Sequence, residues 1–378
     1  MVVGAGFVAM ALVFGVAYSF GAFFTPMAAE FHAGSGATSV FFAITAFLWF
    51  TLGLVSGTAA DRFGTRWVMA VGAVVMGAGL VMTSFVHDLW LGYLTYGIGV
   101  GVGTACGYVP MVAVVGSWFD RRQGLAMGLA ISGIGVGTVA GAPAATALIG
   151  AYGWRHTYLI FGIVSFLVLA LCGFLAVRPA PTGATRPSLG RILRTREFLT
   201  LYLSVLLTGF GLFTFFVHLL PYAESRGIDA RSAASLLAVV GVFSTVARVA
   251  LGPFADRYGR LRTLQLSILV MAASYLIWLL EPGYAGLAVF AGIMGAAYGG
   301  WVAISPSVLA DLFGTEGLGG TAGALYTAAG IGALLGPPLA GFVVDATGSY
   351  RPAIVGAMVL EVAALAVILT LKPGKVGG

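Results

Sequence analysis

Charge is what this sequence has least of. Only 8% of its 378 residues are Asp, Glu, Lys or Arg, while 60% are hydrophobic. A soluble domain carries about 25% charged residues, so this chain cannot cover itself with a solvated charged surface, and its solvent is largely lipid. Cysteine is almost absent. Cys106 and Cys172 both lie inside apolar runs, so no disulfide framework is implied. No Lys or Arg precedes Arg62, and no small-residue cleavage site follows a short apolar core. The first apolar run is therefore expected to be a retained helix and not a signal peptide. A zinc-hydrolase His pair and a nucleophile elbow are both missing, so no metal, no cofactor and no enzymatic reaction is expected. The net charge of +6 belongs to short loops and implies no nucleic-acid partner.

What the chain has is apolar length. A spanning helix needs roughly 20 apolar residues. Twelve runs are read as such: 3–29, 39–60, 67–87, 91–117, 124–150, 156–177, 198–224, 233–253, 263–281, 286–311, 320–344 and 352–371. The polar stretch 178–197, rich in Arg, Pro and Thr, is the long connection. The expected architecture is an all-α membrane protein with twelve transmembrane helices. Its six-helix halves, 1–177 and 198–378, are joined by a loop at 178–197.

The halves repeat at a shift of 195 residues. Pro26 falls on Pro221, Asp61 on Asp256, Gly141 and Pro143 on Gly336 and Pro338, and Gly153 on Gly348. Repeated halves with a site at their interface are a transporter design. Orientation follows from the positive-inside rule. One set of loops and ends holds Arg62, Arg66, Arg121, Arg122, Arg178, Arg186, Arg191, Arg194, Arg196, Arg257, Arg260, Arg262, Lys372 and Lys375. The other holds Arg155, Arg226, Arg231 and Arg351. The first set, with both termini, is expected to be cytoplasmic.

A charged motif occurs twice. Gly57-Thr-Ala-Ala-Asp61-Arg62-Phe-Gly64-Thr-Arg66 follows the second run, and Gly252-Pro-Phe-Ala-Asp256-Arg257-Tyr-Gly259-Arg260 follows the eighth. Gly57 and Gly252 are expected to allow close helix approach, and Gly64 and Gly259 a tight reversal. The carboxylates of Asp61 and Asp256 can pair with arginines such as Arg62, Arg66 and Arg257 or cap a neighbouring helix. Such a latch can break and reform as two halves rock. A plain charged turn would explain one copy, but two copies at matching places favour the latch. The run Gly97-Ile-Gly99-Val-Gly101-Val-Gly103 is an incomplete dinucleotide fingerprint with no strand before it. Here and at Gly133, Gly137, Gly141, Gly332 and Gly336, small residues spaced by four are expected to let membrane helices pack closely.

Arg248 says most about the substrate. It lies about a turn inside the end of the eighth run, with no Asp or Glu within a helical turn. An Arg within the membrane costs roughly 2.5–3.5 kcal/mol on insertion scales and normally faces a cavity or a partner. Its repeat equivalent is Gly53, so the scaffold does not demand it. A fixed guanidinium suits a carboxylate, to which it offers two parallel hydrogen bonds. An Arg that snorkels to the surface is the other reading.

At these motifs the chain resembles the major facilitator superfamily, whose loop motif the first copy matches fully. The resemblance covers essentially the whole chain. It implies that superfamily's fold, two pseudo-symmetric six-helix halves, and a motif that serves conformational switching. The Arg four residues before Gly252 is similar to one in monocarboxylate transporters and the related oxalate–formate exchangers, where it binds the substrate carboxylate. Tyr18-Ser-Phe-Gly21, Gly107-Tyr108-Val-Pro110 and His218-Leu-Leu-Pro221-Tyr222 resemble the same branch. The resemblance places Tyr108, His218, Arg248 and Tyr298 around a lactate-type pocket. Cys106 and Ser244 stand where relatives carry more polar side chains. Phe14, Tyr18 and Tyr326 are further expected lining residues. His218 could equally serve a structural hydrogen bond, and Glu361, mid-run in the twelfth helix, is a minor candidate for a proton site.

The expected function is proton-coupled symport of a small monocarboxylate, such as lactate or pyruvate, across a cell inner membrane. The expected partners are that carboxylate, protons and the lipid bilayer, and a monomer suffices. The alternatives are an organic-anion exchanger of the oxalate–formate type and a drug exporter, which Arg248 makes unattractive. A solute-sensing receptor and a membrane enzyme are more distant readings.

Overall fold

The computed structural model describes residues 1–118, 123–176, 189–314 and 318–371. Arg121, Arg122, Arg178, Arg186, Lys372 and Lys375 lie outside the described residues, as does most of the 178–197 connection. The described chain is helical almost throughout, as lipid requires, because a helix satisfies its own backbone hydrogen bonds. The spanning helices are α1 (Val2–Glu30), α2 (Ser35–Phe63), α3 (Thr65–Thr83), α4 (Leu89–Ser117), α5 (123–152), α6 (154–175), α7 (Arg196–Ser225), α8 (Ala230–Tyr258), α9 (Arg260–Leu279), α10 (Tyr284–Phe313), α11 (Leu318–Thr347) and α12 (Arg351–Ile368). The expected all-helical architecture of about twelve spans is observed.

Local differences have local causes. Helix α1 is interrupted at Ser19, whose hydroxyl donates to the Val16 carbonyl at 2.8 Å. Helices α5 and α6 abut without a loop, the chain breaking direction at Gly153, with φ 77° and ψ 161°, a backbone an L side chain rarely adopts. Helices α2 and α8 run further than the apolar pattern suggests, so Asp61, Arg62, Asp256 and Arg257 stand in their last helical turns. Gly64 and Gly259 then turn the chain with φ of 89° and 99°, as expected of both copies. Helix α4 contains a π-helical turn at Tyr93–Ile98.

The glycine stripes pack helices on helices. A Cβ on Gly133, Gly137 or Gly141 of α5 would meet a carbonyl oxygen of α1 at 2.2–2.3 Å. A Cβ on Gly332 or Gly336 of α11 would meet a carbonyl oxygen of α7 at 2.5–2.6 Å. The repeat thus reproduces one joint twice, α5 on α1 and α11 on α7. The Gly97–Gly103 run faces two ways: Gly97 and Gly101 lie against α2 at Ile44 and Leu48, and Gly99 and Gly103 against α3 at Gly79 and Met76. The one exception is the motif glycine of α8. Gly57 lies against Val109 of α4, but Gly252 has no atom within 4 Å of its absent Cβ, so it does not serve close approach here.

The first six helices meet the last six along α2–α11 and α5–α8. They are also tied at the arginine-poor face. The Asp345 carboxylate of α11 accepts from the backbone N–H groups of Ser35 and Gly36 at 2.7 and 2.8 Å, capping α2 across the boundary. Thr25 of α1 donates to the Glu224 carboxylate of α7. These bonds tie the two halves together at that face.

Candidate functional site

Helix α8 carries Arg248 on the face that meets α10. The guanidinium carbon sits 5.7 Å from the centroid of the Tyr298 ring, a cation–π arrangement. Nε and Nη1 are buried without a hydrogen-bond partner. Among the described residues no carboxylate pairs with this arginine. The side chain is half-buried against the Tyr298 ring. Buried donors of a charged group left unmade are costly.

Tyrosines from both halves gather around it. The hydroxyls of Tyr18 (α1) and Tyr298 (α10) are 2.9 Å apart and hydrogen-bonded. Tyr18 and Tyr108 (α4) each lie within electrostatic range of Arg248, and Tyr326 (α11) within range of Tyr108 and Tyr298. Phe14 packs edge-on to Tyr108 at 5.4 Å between centroids and beside Tyr18 at 5.8 Å. Ser244, one turn before Arg248 on the same helix face, has a buried hydroxyl with no partner. The structure thus brings together seven of the nine pocket candidates: Phe14, Tyr18, Tyr108, Ser244, Arg248, Tyr298 and Tyr326.

Two candidates lie elsewhere. Cys106 is on the far side of α4, in a small apolar cluster with Ala60 and Val68, and its Cβ would be 2.5 Å from one on Gly72 of α3. Helical spacing explains this, because Cys106 and Tyr108 are two residues apart and point about 200° apart around the helix. His218 sits at a junction of α7, α2 and α11. Its Nε2 lies 3.1 Å from the Ser39 hydroxyl and 2.9 Å from the Pro337 carbonyl. Ser39 already donates to the Ser35 carbonyl at 2.6 Å. Nε2–H is therefore the donor to both, and Nδ1, which has no partner, is the bare nitrogen. His218 thus bridges the halves through Ser39 of α2 and joins α7 to α11 through Pro337.

Several aromatic wall residues escape sequence reasoning. Phe216 (α7) stacks on Tyr18 at 4.5 Å and meets Tyr298 at 5.2 Å. Trp49 (α2) touches Phe14, Tyr18 and Phe213. The repeat held a signal for one of them: Phe213 stands 195 residues after Tyr18.

The motif residues are at the arginine-rich end and exposed. Arg260 pairs with Asp256 at 3.6 Å and with Asp311 at 2.6 Å, tying the ends of α8, α9 and α10 together. Arg66 lies over the Phe174 ring at 4.5 Å. Arg62 and Arg257 lie over their neighbours Phe63 and Tyr258. A separate cavity of about 970 Å³ opens between α1, α5, α7 and α8 near Thr25, Glu224, Asp229 and Arg231; none of its lining residues belongs to the aromatic cluster.

Comparison with known proteins places this arrangement. The family model of the Major Facilitator Superfamily matches residues 6–284 and 201–377. Monocarboxylate transporter 3 of Rattus norvegicus is 32% identical, over 93% of this chain and 75% of its own length. Monocarboxylate transporter 13 of Bos taurus is 31% identical, over 98% of this chain and 88% of its own. Among solved structures, a point mutant of the nucleoside transporter NupG superposes with a TM-score of 0.81 at 13% identity, covering 98% and 99% of the two chains. A bacterial homologue of the human lysosomal transporter Spinster, inward-facing and occupied, gives 0.80 at 18% identity, covering 97% and 95%. A multi-pass helical membrane protein with these relatives is a transporter and not an enzyme, and the chain belongs to the Major Facilitator Superfamily, in its monocarboxylate transporter-like branch.

Proposed function

We propose that this protein carries small monocarboxylates of the lactate or pyruvate type together with protons, by alternating access. The observation that carries the reading is Arg248, a guanidinium with two buried, unpartnered nitrogens above an aromatic ring. A carboxylate offers two oxygens in the plane a guanidinium fork can reach. The hydroxyls of Tyr18, Tyr108, Tyr298 and Ser244 serve the carboxylate or a neighbouring hydroxyl or keto group. Phe14, Trp49 and Phe216 wall off a short aliphatic tail, and Tyr326 closes the side toward α11. The names of the relatives, at about 30% identity, support the substrate class.

The halves 1–177 and 198–378 rock about this site, with Asp61, Arg62, Arg66, Asp256 and Arg257 latching the arginine-rich face. The positive-inside rule makes that face cytoplasmic, with both termini, in a cell inner membrane. Moving an anion and a proton together is electroneutral, so a membrane potential worth about 2.3 kcal/mol per charge per 100 mV does not oppose uptake. A monomer suffices for this cycle.

The test is uptake of radiolabelled lactate and pyruvate into proteoliposomes. Removing one partner of a desolvated charge pair costs about 2–5 kcal/mol, so Arg248→Gln should lower uptake by roughly 30-fold or more while the protein stays folded. A folded variant with the parent rate overturns the carboxylate site. An inward proton gradient should drive accumulation above equilibrium; an unchanged level would make the protein an exchanger.

A further inference from the structure

We infer that Glu361 is the site where the co-transported proton rides, an inference that rests on the proton-coupled reading above. It lies in the middle of α12 and is completely buried. Neither carboxyl oxygen has a hydrogen-bond partner. Helix α7 presses on it directly: a Cβ on Gly211 would fall 2.8 Å from the Glu361 Cγ and 2.9 Å from Oε1. The Thr208 hydroxyl, one turn earlier on α7, faces the carboxyl and is itself without a formed bond. From α9, Tyr275 is near enough to interact with it, but its hydroxyl is committed to the Gly211 carbonyl at 2.9 Å. Helix α11 also packs on α12; its acidic residue Asp345 is spent capping α2 at the arginine-poor face. Among the described residues no cation faces Glu361.

A carboxyl in lipid-enclosed protein with no facing cation and no formed hydrogen bond is costly to ionise. Nothing structural asks for a carboxyl here. It forms no hydrogen bond that would hold α12 in place; the Ser204 hydroxyl ties α12 to α7 through the Ala364 carbonyl at 3.1 Å, and Gln265 ties it to α9 through the Ile368 carbonyl at 3.0 Å. An acid kept at such cost without a bonding role is accounted for by a proton that it takes up and gives back.

Helix α7 links that proton to the substrate. Thr208 and Gly211 face Glu361, while Phe213 and Phe216, on the other side of the same helix, touch Trp49, Tyr18 and Tyr298. For the acid to release its proton, the carboxylate must gain donors. The Thr208 hydroxyl, which faces it, is the nearest donor, and a shift of α7 against α9 and α12 would free the Tyr275 hydroxyl or admit water as a further one. The same shift moves Phe213 and Phe216 against Trp49, Tyr18 and Tyr298. In one direction the carboxylate takes a proton from the aqueous side and becomes the acid; after the halves rock, the acid returns that proton to the other side.

The experiment compares the parent with Glu361→Gln in proteoliposomes, by two assays. In the first an inward proton gradient drives lactate accumulation. In the second unlabelled lactate inside exchanges for labelled lactate outside with no gradient. Glu361→Gln mimics the neutral acid, so gradient-driven accumulation should fall at least tenfold, to the level without a gradient, while exchange stays within twofold of the parent. Glu361→Asp, which keeps a titratable carboxyl, should retain part of the accumulation. A parent that shows no gradient-driven accumulation sinks the symport reading itself. A parent that accumulates, with a Glu361→Gln variant that accumulates equally, overturns Glu361 alone. Should Glu361→Gln fail to fold, infrared difference spectra of the parent and Glu361→Asp decide: a protonated-carboxyl band that shifts with the substitution and is lost when the pH is raised supports the assignment, and a band unchanged by pH refutes it.

Discussion

Gly53 and Arg248 stand at equivalent positions of α2 and α8, 195 residues apart, and do opposite things. A Cβ on Gly53 would already meet the Val109 side chain of α4 at 3.0 Å, so α2 uses the position to pack. On α8 the same position holds a guanidinium with two unpartnered nitrogens beneath an aromatic cluster. At the glycine joints the halves agree closely. Gly137 and Gly141 seat α5 on α1 as Gly332 and Gly336 seat α11 on α7, at the same shift. The repeat is kept where α5 meets α1 and α11 meets α7, and is lost at positions 53 and 248.

The largest effect should come from breaking the shared joints. Valine at position 137 would drive its side chain into the Ala11 carbonyl oxygen, 2.2 Å from where its Cβ would stand, and valine at 332 into that of Leu206, at 2.6 Å. Those atoms are backbone and cannot swing aside, so separating the helices forfeits contact along their whole length. Gly137→Val and Gly332→Val should each abolish the monodisperse peak in detergent size-exclusion chromatography. If one half tolerates the change and the other does not, the joints are not equivalent.

Next comes the asymmetry. Exchanging the two residues, as Gly53→Arg with Arg248→Gly, should not move the binding site to the other half, because position 53 faces Val109 and not the tyrosines. Lactate uptake by the double variant should be roughly 30-fold or more below the parent, the loss expected when a buried charge partner is removed. Uptake near the parent level would mean that the cavity reads charge without regard to position.

How much of this was legible in the sequence follows from the same contrast. The spans, the repeat, the two glycine reversals and Arg248 were readable, because each departs from its surroundings: apolar length against polar loops, charge against lipid, a constant shift against chance. The walls were not. Trp49, Phe213 and Phe216 are apolar residues inside apolar runs, and in a lipid-facing chain hydrophobicity does not separate the inward side of a helix from the outward one. Phe166 and Leu171 are as apolar as Phe216 and are exposed. Cys106 was misplaced for the complementary reason, since closeness to Tyr108 in sequence says nothing about sharing its face. His218 showed its chemistry but not its neighbours, which come from α2 and α11, more than a hundred residues away.

A smaller effect tests the aromatic pair that links α1 to α10. Tyr18 and Phe213 are repeat equivalents that differ by one hydroxyl, and that hydroxyl reaches Tyr298 at 2.9 Å. Tyr18→Phe makes the halves alike at this position. A single hydrogen bond is worth about 0.5–1.5 kcal/mol net, so the KM for lactate should change by roughly two- to tenfold with the folded yield unaltered. An unchanged KM would place the hydroxyl pair outside the path of the substrate.

The smallest effect separates the two motif glycines. They look interchangeable in sequence, both opening a Gly-x-x-x-Asp-Arg motif. The structure distinguishes them: a Cβ at position 57 would lie 3.2 Å from the Val109 Cγ1, while position 252 is open. Gly57→Ala needs Val109 to give by a few tenths of an ångström, a mild overpacking that should cost up to about 1 kcal/mol. Gly252→Ala meets nothing, and substitutions at such places usually stay within about 0.5 kcal/mol. Thermal unfolding in detergent should therefore rank Gly57→Ala below the parent and leave Gly252→Ala level with it. Transport sharpens the comparison. A Gly252→Ala protein as stable as the parent but slow to carry lactate would mean that α8 needs its glycine in another conformation of the cycle, where a neighbouring helix closes on position 252 as α4 closes on position 57 here. Equal stability and equal transport would mean that the second motif keeps the glycine without using it for packing in either state.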